Sequence, residues 1–247
     1  MGVWEYGSMG VWKYRPPPTS TLPYFHTVTL FSFLTPGLWS EAMNILAIGA
    51  HPDDIEYGCG GTLTKYASKG HKIYLMAMTS GELRGDPAVR RQEQMVSAKL
   101  MGAENVFFGD YPDCELVCDR NLVRKIEGVV ADTKPDFAYV HYPEDTHQDH
   151  RALSQAAIPA CRSVRNVLYY EGPSTLSFNP SVFVDIGTML HTKLACLEAH
   201  ASQVMNTNIQ DMSIVDIARS AAHFRGIEGR IKYAEAFAPV RLFINIE

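Results

Sequence analysis

From Asn44 onward the chain alternates short apolar runs with longer segments in which apolar residues recur every three or four positions. NILAIGA (44–50), KIYLMAMT (72–79), NVFFG (105–109) and FAYVHYP (137–143) read as strands. The first carries almost no polar residue and so fits a strand covered on both faces. The stretch 87–102, PAVRRQEQMVSAKLMG, opens on Pro and closes on Gly, as helices do; Val89, Met95, Ala98 and Met101 are assigned to its inner face. A second helix is expected over 120–133 and a third from about Gln148. GCGG (58–61) reads as a glycine-rich turn leading into an amphipathic stretch that stops at Gly70. Further on, 166–172 and 182–187 read as strands, 190–203 and 212–225 as helices, and VRLFIN (240–245) as a last strand.

This alternation predicts an α/β protein: a Rossmann-like, mostly parallel sheet with helices on both faces. Ligands of such sheets bind beyond the carboxyl ends of the strands. No internal repeat or linker divides 43–247, which is expected to be a single domain.

The first 42 residues break the pattern. MGVWEYGS is nearly repeated as MGVWKYRP, then come Pro16, Pro17 and Pro18 and a Ser/Thr-rich stretch. The segment 27–42 has a signal-peptide look, with Ser40 and Ala42 as small residues, but Pro36 interrupts its apolar patch. The reading adopted is that Met43 opens the folded domain and is a candidate natural start, with 1–42 either a disordered extension or an artefact of the reading frame.

Composition narrows the classes. At 46% hydrophobic and 20% charged, the 247 residues suffice for a full core. The net charge of -5, with no Lys/Arg run, argues against a nucleic-acid or anionic-membrane surface. No apolar run reaches the ~18 residues of a membrane span. Cys59, Cys114, Cys118, Cys161 and Cys196 are odd in number and form no CxxC pair, so a reduced, cytoplasmic protein with packing thiols is expected.

Ionisable residues collect where the sheet rule directs attention. GAHPDD (49–54) closes the first strand and HYPEDTHQDH (141–150) follows the fourth. If these strands are neighbours, His51 and Asp54 meet His147 and His150. Two imidazoles and a carboxylate are a common ligand set for catalytic Zn²⁺, with a fourth position left for water. His147 and His150 are about one helical turn apart and can face one cleft, one as ligand and the other for proton or oxyanion work.

Taken together, AHPDD followed by GCGGTL, TSGE (79–82), RRQEQMVSAKLMGA, HQDH, LEAHASQ (197–203) and YAEAF (233–237) resemble the LmbE-like, or PIG-L, zinc-dependent N-deacetylases, from about Met43 to the C-terminus. The resemblance implies His51, Asp54 and His150 as ligands of one Zn²⁺ per chain and Asp53 as a general base outside the coordination shell. It implies His147 as the residue polarising or protonating the amide, with Asp149 tuning it. Arg90, with Glu93 as the acid of its RxxE pattern, and Glu82 are the implied substrate contacts; Arg91 is the alternative to Arg90. Gln148 stands where the family commonly has Pro, a change that removes no ligand. The implied substrate is an N-acetylglucosaminyl compound, and homo-oligomers are common in the family. Two other readings stay beside this one. A two-metal phosphoesterase would recruit Glu82, Asp110 or Asp113, and a non-catalytic metal-binding module would need neither Asp53 nor His147.

Overall fold

The computed structural model describes residues 3–6, 12–15 and 42–244, which fall in two compact units divided after Ser40. In the first unit β1 (Val3–Tyr6) pairs antiparallel with β2 (Trp12–Arg15), Glu5 opposite Lys13, so the two near-repeats form one ladder. The rest of the stretch expected to be an extension lies outside the described residues.

The second unit is built on a seven-stranded sheet. Its strands are β3 (Asn44–Gly49), β4 (Lys72–Thr79), β5 (Asn105–Tyr111), β6 (Phe137–His141), β7 (Asn166–Tyr170), β8 (Val182–Asp185) and β9 (Ala234–Arg241), in the order β5-β4-β3-β6-β7-β9-β8. The first five are parallel; β9 runs antiparallel to both β7 and β8. The chain steps outward from β3 through β4 to β5, then returns to lay β6 against the other side of β3. That reversal opens a crevice at the carboxyl ends of β3 and β6, the place where open α/β sheets bind ligands.

Period-two alternation sends β3 to two cores. Leu46 and Ile48 join residues of α3 (Arg120–Thr133) and α4 (Gln148–Ala160) on one face. Ile45 and Ala47 join α1 (Asp54–Ser68), α2 (Pro87–Met101) and α5 (Leu190–Glu198) on the other. A third cluster ties α5 to α6 (Ile214–Gly229), which starts on a Ser213–Asp216 capping box.

Four expectations are corrected. GCGG is no turn: it lies wholly within α1, whose start is Asp54. A Cβ on Gly58 would come within 2.2 Å of the Tyr170 ring, and one on Gly61 within 3.0 Å of Ile186. The glycines therefore let the helix press onto β7 and the segment after β8. On α2 the buried face is Arg90, Gln94, Ser97, Ala98 and Met101, while Val89 and Met95 face solvent. The face is largely polar because Arg90 reaches the turn at Asp53 while Gln94 and Ser97 donate to the buried Glu56 of α1. The last strand begins at Ala234, not Val240; its buried Glu235 disguised an inward-facing position. Finally, α5 stops at Glu198, and His200 lies in the turn beyond it.

Candidate active site

After β3 ends at Gly49 the chain turns through Ala50-His51-Pro52-Asp53, and α1 starts at Asp54. The turn closes on itself: the His51 backbone N–H donates to Asp54 Oδ2 at 2.7 Å. Asp53 sits at φ 100°, a region that costs a non-glycine residue on the order of 1–3 kcal/mol and persists where the surroundings enforce it. Arg90 supplies that enforcement. Buried on α2, it donates to Pro52 O (2.8 Å) and Gly81 O (2.8 Å) and reaches Asp53 Oδ2 at 3.3 Å. Arg91 points away, exposed and paired with Asp110.

Beyond β6, His147 caps α4 by accepting the Asp149 N–H on Nδ1 at 3.2 Å. With Nδ1 accepting, the neutral ring carries its proton on Nε2, the nitrogen left for other partners. One turn on, His150 Nδ1 stands 3.1 Å from Asp145 Oδ2 and its Nε2 stands 3.4 Å from Asp54 Oδ1. His51 Nδ1 lies 3.3 Å from Asp54 Oδ2. Asp54 thus stands between the two imidazoles, with His141 Nε2 at 3.2 Å as a third neighbour.

The electrostatics follow from this crowding. Burial works to raise the Asp54 carboxyl, but the charges of His150 and His141 bring it well below the ordinary range. Burial works against the charged form of His150, yet Asp54 and Asp145 lift it to about 9. His141, sealed in and stacked on His150 at 4.0 Å, falls to about 4 through burial and the charge of that neighbour. Asp53 rises to about 6, chiefly because burial disfavours its charge, with Arg90 opposing and Asp54 adding to the rise. Such a set of imidazole nitrogens and carboxylate oxygens draws positive charge into one spot, and its hard oxygen and borderline nitrogen donors suit a divalent cation. Three groups among the described residues bring three donor atoms within 4.8 Å of one another: His51, His147 and His150; Asp54, His141 and His150; and His51, Asp113 and Asp149. The expected set, His51, Asp54 and His150, straddles the first two.

A cavity of about 700 Å³ opens over Asp53, Asp54, His147 and His150. Arg90 lines it. Glu82 does not: its carboxylate accepts the Asp113 N–H at 2.8 Å and braces the loop that carries Asp113. Asp149 is placed against His51 Nε2 (3.3 Å) and accepts the Cys114 and Leu116 N–H groups. Glu93 accepts from Ser202 rather than pairing with Arg90.

Behind the imidazoles stand two further carboxylates, Asp145, to which the sequence assigned nothing, and Asp113, which it offered only as a ligand of a second metal. Asp113 Oδ1 lies 3.0 Å from His51 Nε2, and Asp145 holds His150 while accepting the His147 N–H and the Ser174 and Thr175 hydroxyls. Metal-binding histidines commonly present the second nitrogen to a carboxylate in this way. For Asp145 a signal existed, since it lies inside the HYPEDTHQDH stretch; for Asp113 only the fold supplies the contact.

Fold and site together define a Rossmann-like protein with a candidate His/Asp metal-binding cluster at the switch point of its sheet. The family described as PIG-L: GlcNAc-PI de-N-acetylase matches residues 46–161. The chain is 38% identical over 172 residues to an uncharacterized deacetylase, YaiS, of Escherichia coli, covering 66% of this chain and 93% of the relative. It belongs to the PIG-L (LmbE-like) family. The structure of N,N'-diacetylchitobiose deacetylase from Pyrococcus horikoshii superposes with a TM-score of 0.72 at 25% identity, covering 81% of this chain and 84% of that one. A 4-oxalmesaconate hydratase of Pseudomonas putida is 23% identical over 192 residues, covering 64% of this chain and 73% of the relative. Deacetylases thus stand among both the relatives and the structural neighbours.

Proposed function

We propose that the protein hydrolyses the acetamide of an N-acetylglucosaminyl (N-acetyl amino sugar) compound to acetate and a free amine, with one Zn²⁺ held by His51, Asp54 and His150. The observation that carries this reading is the placement of Asp53, raised to about 6, and of His147 on the same cavity as the candidate ligands. A cation bound there supplies Lewis acidity and lowers the pKa of bound water towards ~7.

The chain's own groups do the rest. Asp53, held by Arg90, takes a proton from the attacking water as that oxygen bonds to the acetyl carbon. His147, its Nδ1 fixed by the Asp149 N–H, offers Nε2–H to the carbonyl oxygen where negative charge develops. The C–N bond then breaks, and the proton on Asp53 or His147 passes to the departing amine. Asp113 and Asp149 orient His51, and Asp145 orients His150.

The test is acetate release from a panel of N-acetylglucosamine conjugates, with zinc added and then chelated, alongside metal analysis. Zinc-dependent release and one equivalent per chain are expected. Two equivalents with phosphate release would instead favour the phosphoesterase reading that His51, Asp113 and Asp149 could serve. If no conjugate releases acetate, the deacetylase reading fails, and hydration of an unsaturated carboxylate, the activity named for the Pseudomonas relative, becomes the one to measure.

A further inference from the structure

One motif of the sequence, LEAHASQ (197–203), supplies none of the candidate ligands or catalytic groups. It carries the chain out of α5 in a tight turn, closed by the Gln203 N–H on His200 O at 2.7 Å. Three side chains of this turn grip three different elements. His200, wholly buried, sets Nε2 3.4 Å from Glu56 Oε1 in the first turn of α1. The Ser202 N–H and hydroxyl each donate to Glu93 of α2 at 2.7 Å. Gln203 Nε2 donates to Arg84 O at 3.1 Å, at the end of the short 3-10 turn Glu82–Arg84.

These three elements are the ones that meet at Asp53. Asp53 caps the start of α1, and Glu56 lies in the turn that follows. Arg90 stands on α2 one turn before Gln94; Gln94 Nε2 and Ser97 Oγ donate at 2.7 Å to the same Glu56 Oε1 that faces His200. Gly81, whose carbonyl accepts from Arg90 Nη1, opens the 3-10 turn that Gln203 holds. Arg90 can keep Asp53 at its positive φ only while α1, α2 and this loop stay in register, and the turn beyond α5 touches all three. Packing alone does not account for the cluster. Glu56 Oε2, Gln94 Oε1 and His200 Nδ1 find no hydrogen-bond partner among the described residues. Unpaired buried polar atoms lower stability, and such local violations recur at functional sites.

We propose that His200, Ser202 and Gln203 are positioning residues: they lock α1, α2 and the loop after β4 to one another and so hold Arg90 against Asp53. This rests on the amide-hydrolase reading above for the role of Asp53 as base. His200 and Ser202 do not line the cavity. Their effect reaches a substrate only through the placement of the Asp53 carboxylate, where a displacement of about 1 Å can lower a rate about 100-fold.

Hydrogen exchange on the chelated full chain reads the clamp without turnover. The His51 and Tyr57 amides, which donate to Asp54 Oδ2 and Asp53 O, report on the turn, and the amides of β3 serve as reference. In His200→Gln the ratio of turn to β3 exchange rates is expected to rise about tenfold, as local opening outruns global unfolding. Ser202→Ala should raise it less, and Ser202→Thr, which keeps the hydroxyl, should leave it at the parent value. Should His200→Gln fail to fold, Ser202→Ala, made at an exposed side chain, still gives every readout. On an acetamide that the zinc-loaded parent cleaves, kcat should fall about 10–100-fold in His200→Gln and about three- to tenfold in Ser202→Ala. KM and bound zinc should hold. Turn and β3 amides that quicken together, or not at all, overturn the proposal, because the residues would then be ordinary supports of the fold. So does an unchanged kcat in both variants, or a Ser202→Thr that behaves as Ser202→Ala does. A parent that cleaves no acetamide overturns the deacetylase reading, and the exchange ratio then decides the clamp alone.

Discussion

Helix α1 meets two buried ionic clusters within its first nine residues, and they are built on opposite principles. At its start, Asp54 faces three imidazoles, Asp53 is held at φ 100°, and the group opens onto a cavity. Farther along, the Gly61 and Thr62 N–H groups donate to Glu235 at 2.9 and 2.7 Å, while Lys193 caps the arrangement by donating to Glu235 and to Tyr57 O. Lys193 and Glu235 are almost wholly buried, and each charge meets its opposite. The second cluster is closed and satisfied, as structural ion pairs are. The first carries strain and perturbed titration beside open space, the combination that marks sites of chemistry.

The sharpest way to break this contrast is Asp53→Asn, which keeps the shape and tolerates the positive φ. Loss of a general base should lower kcat/KM by about 10²–10⁴-fold on any acetamide the enzyme cleaves. Melting temperature should barely move, because burial already disfavours the charge that is removed. Bound zinc, counted by metal analysis, should stay. Activity within tenfold of the parent would remove Asp53 from the base role.

Lys193→Met probes the closed cluster. Stranding Glu235 without its partner should cost about 3–5 kcal/mol, which at this chain length lowers the melting temperature by roughly 6–20 °C. Turnover per folded molecule should persist. Adding Glu235→Gln should recover part of the loss, since the amide oxygen still accepts from Gly61 or Thr62. A neutral Lys193→Met would mean that the pair does no structural work, and the contrast would collapse.

The two clusters were unequally legible in the sequence. AHPDD and HQDH announced the first because ligand chemistry packs several ionisable residues into a few positions at strand ends. Lys193 and Glu235 are 42 residues apart and meet only through the fold, so nothing local marked them. The same cause hid Asp113, which reaches His51 across 62 positions. GCGG misled because glycine signals a turn by default; here Gly58 and Gly61 are needed inside a helix, where Tyr170 and Ile186 leave no room for a Cβ. On α2 a strictly apolar criterion chose Val89 and Met95, whereas Arg90, Gln94 and Ser97 face inward to serve Asp53 and Glu56. The parallel sheet itself was plain, because strands covered on both faces must be continuously apolar.

Between the two clusters lies a third pair, His200 and Glu56, which tests the contrast most finely. Both are fully buried; His200 Nε2 is 3.4 Å from Glu56 Oε1, which also accepts from Gln94 and Ser97. Burial lowers the pKa of His200, but the Glu56 charge outweighs it and the net direction is up from 6.5. Glu56 is moved down against its own burial by His200. A raised folded-state pKa means that the stabilisation from His200 is complete below its unfolded value and fades as pH climbs through the folded one. The unfolding free energy of the parent minus that of His200→Gln should therefore be larger at pH 6 than at pH 9, with a slope of at most about 1.4 kcal/mol per pH unit. Urea denaturation of both proteins across that range, with zinc chelated, measures it. A flat difference would mean that His200 is neutral throughout and that the pair is a plain polar contact; a decline with rising pH would place it with the closed cluster, as a charge matched by its partner.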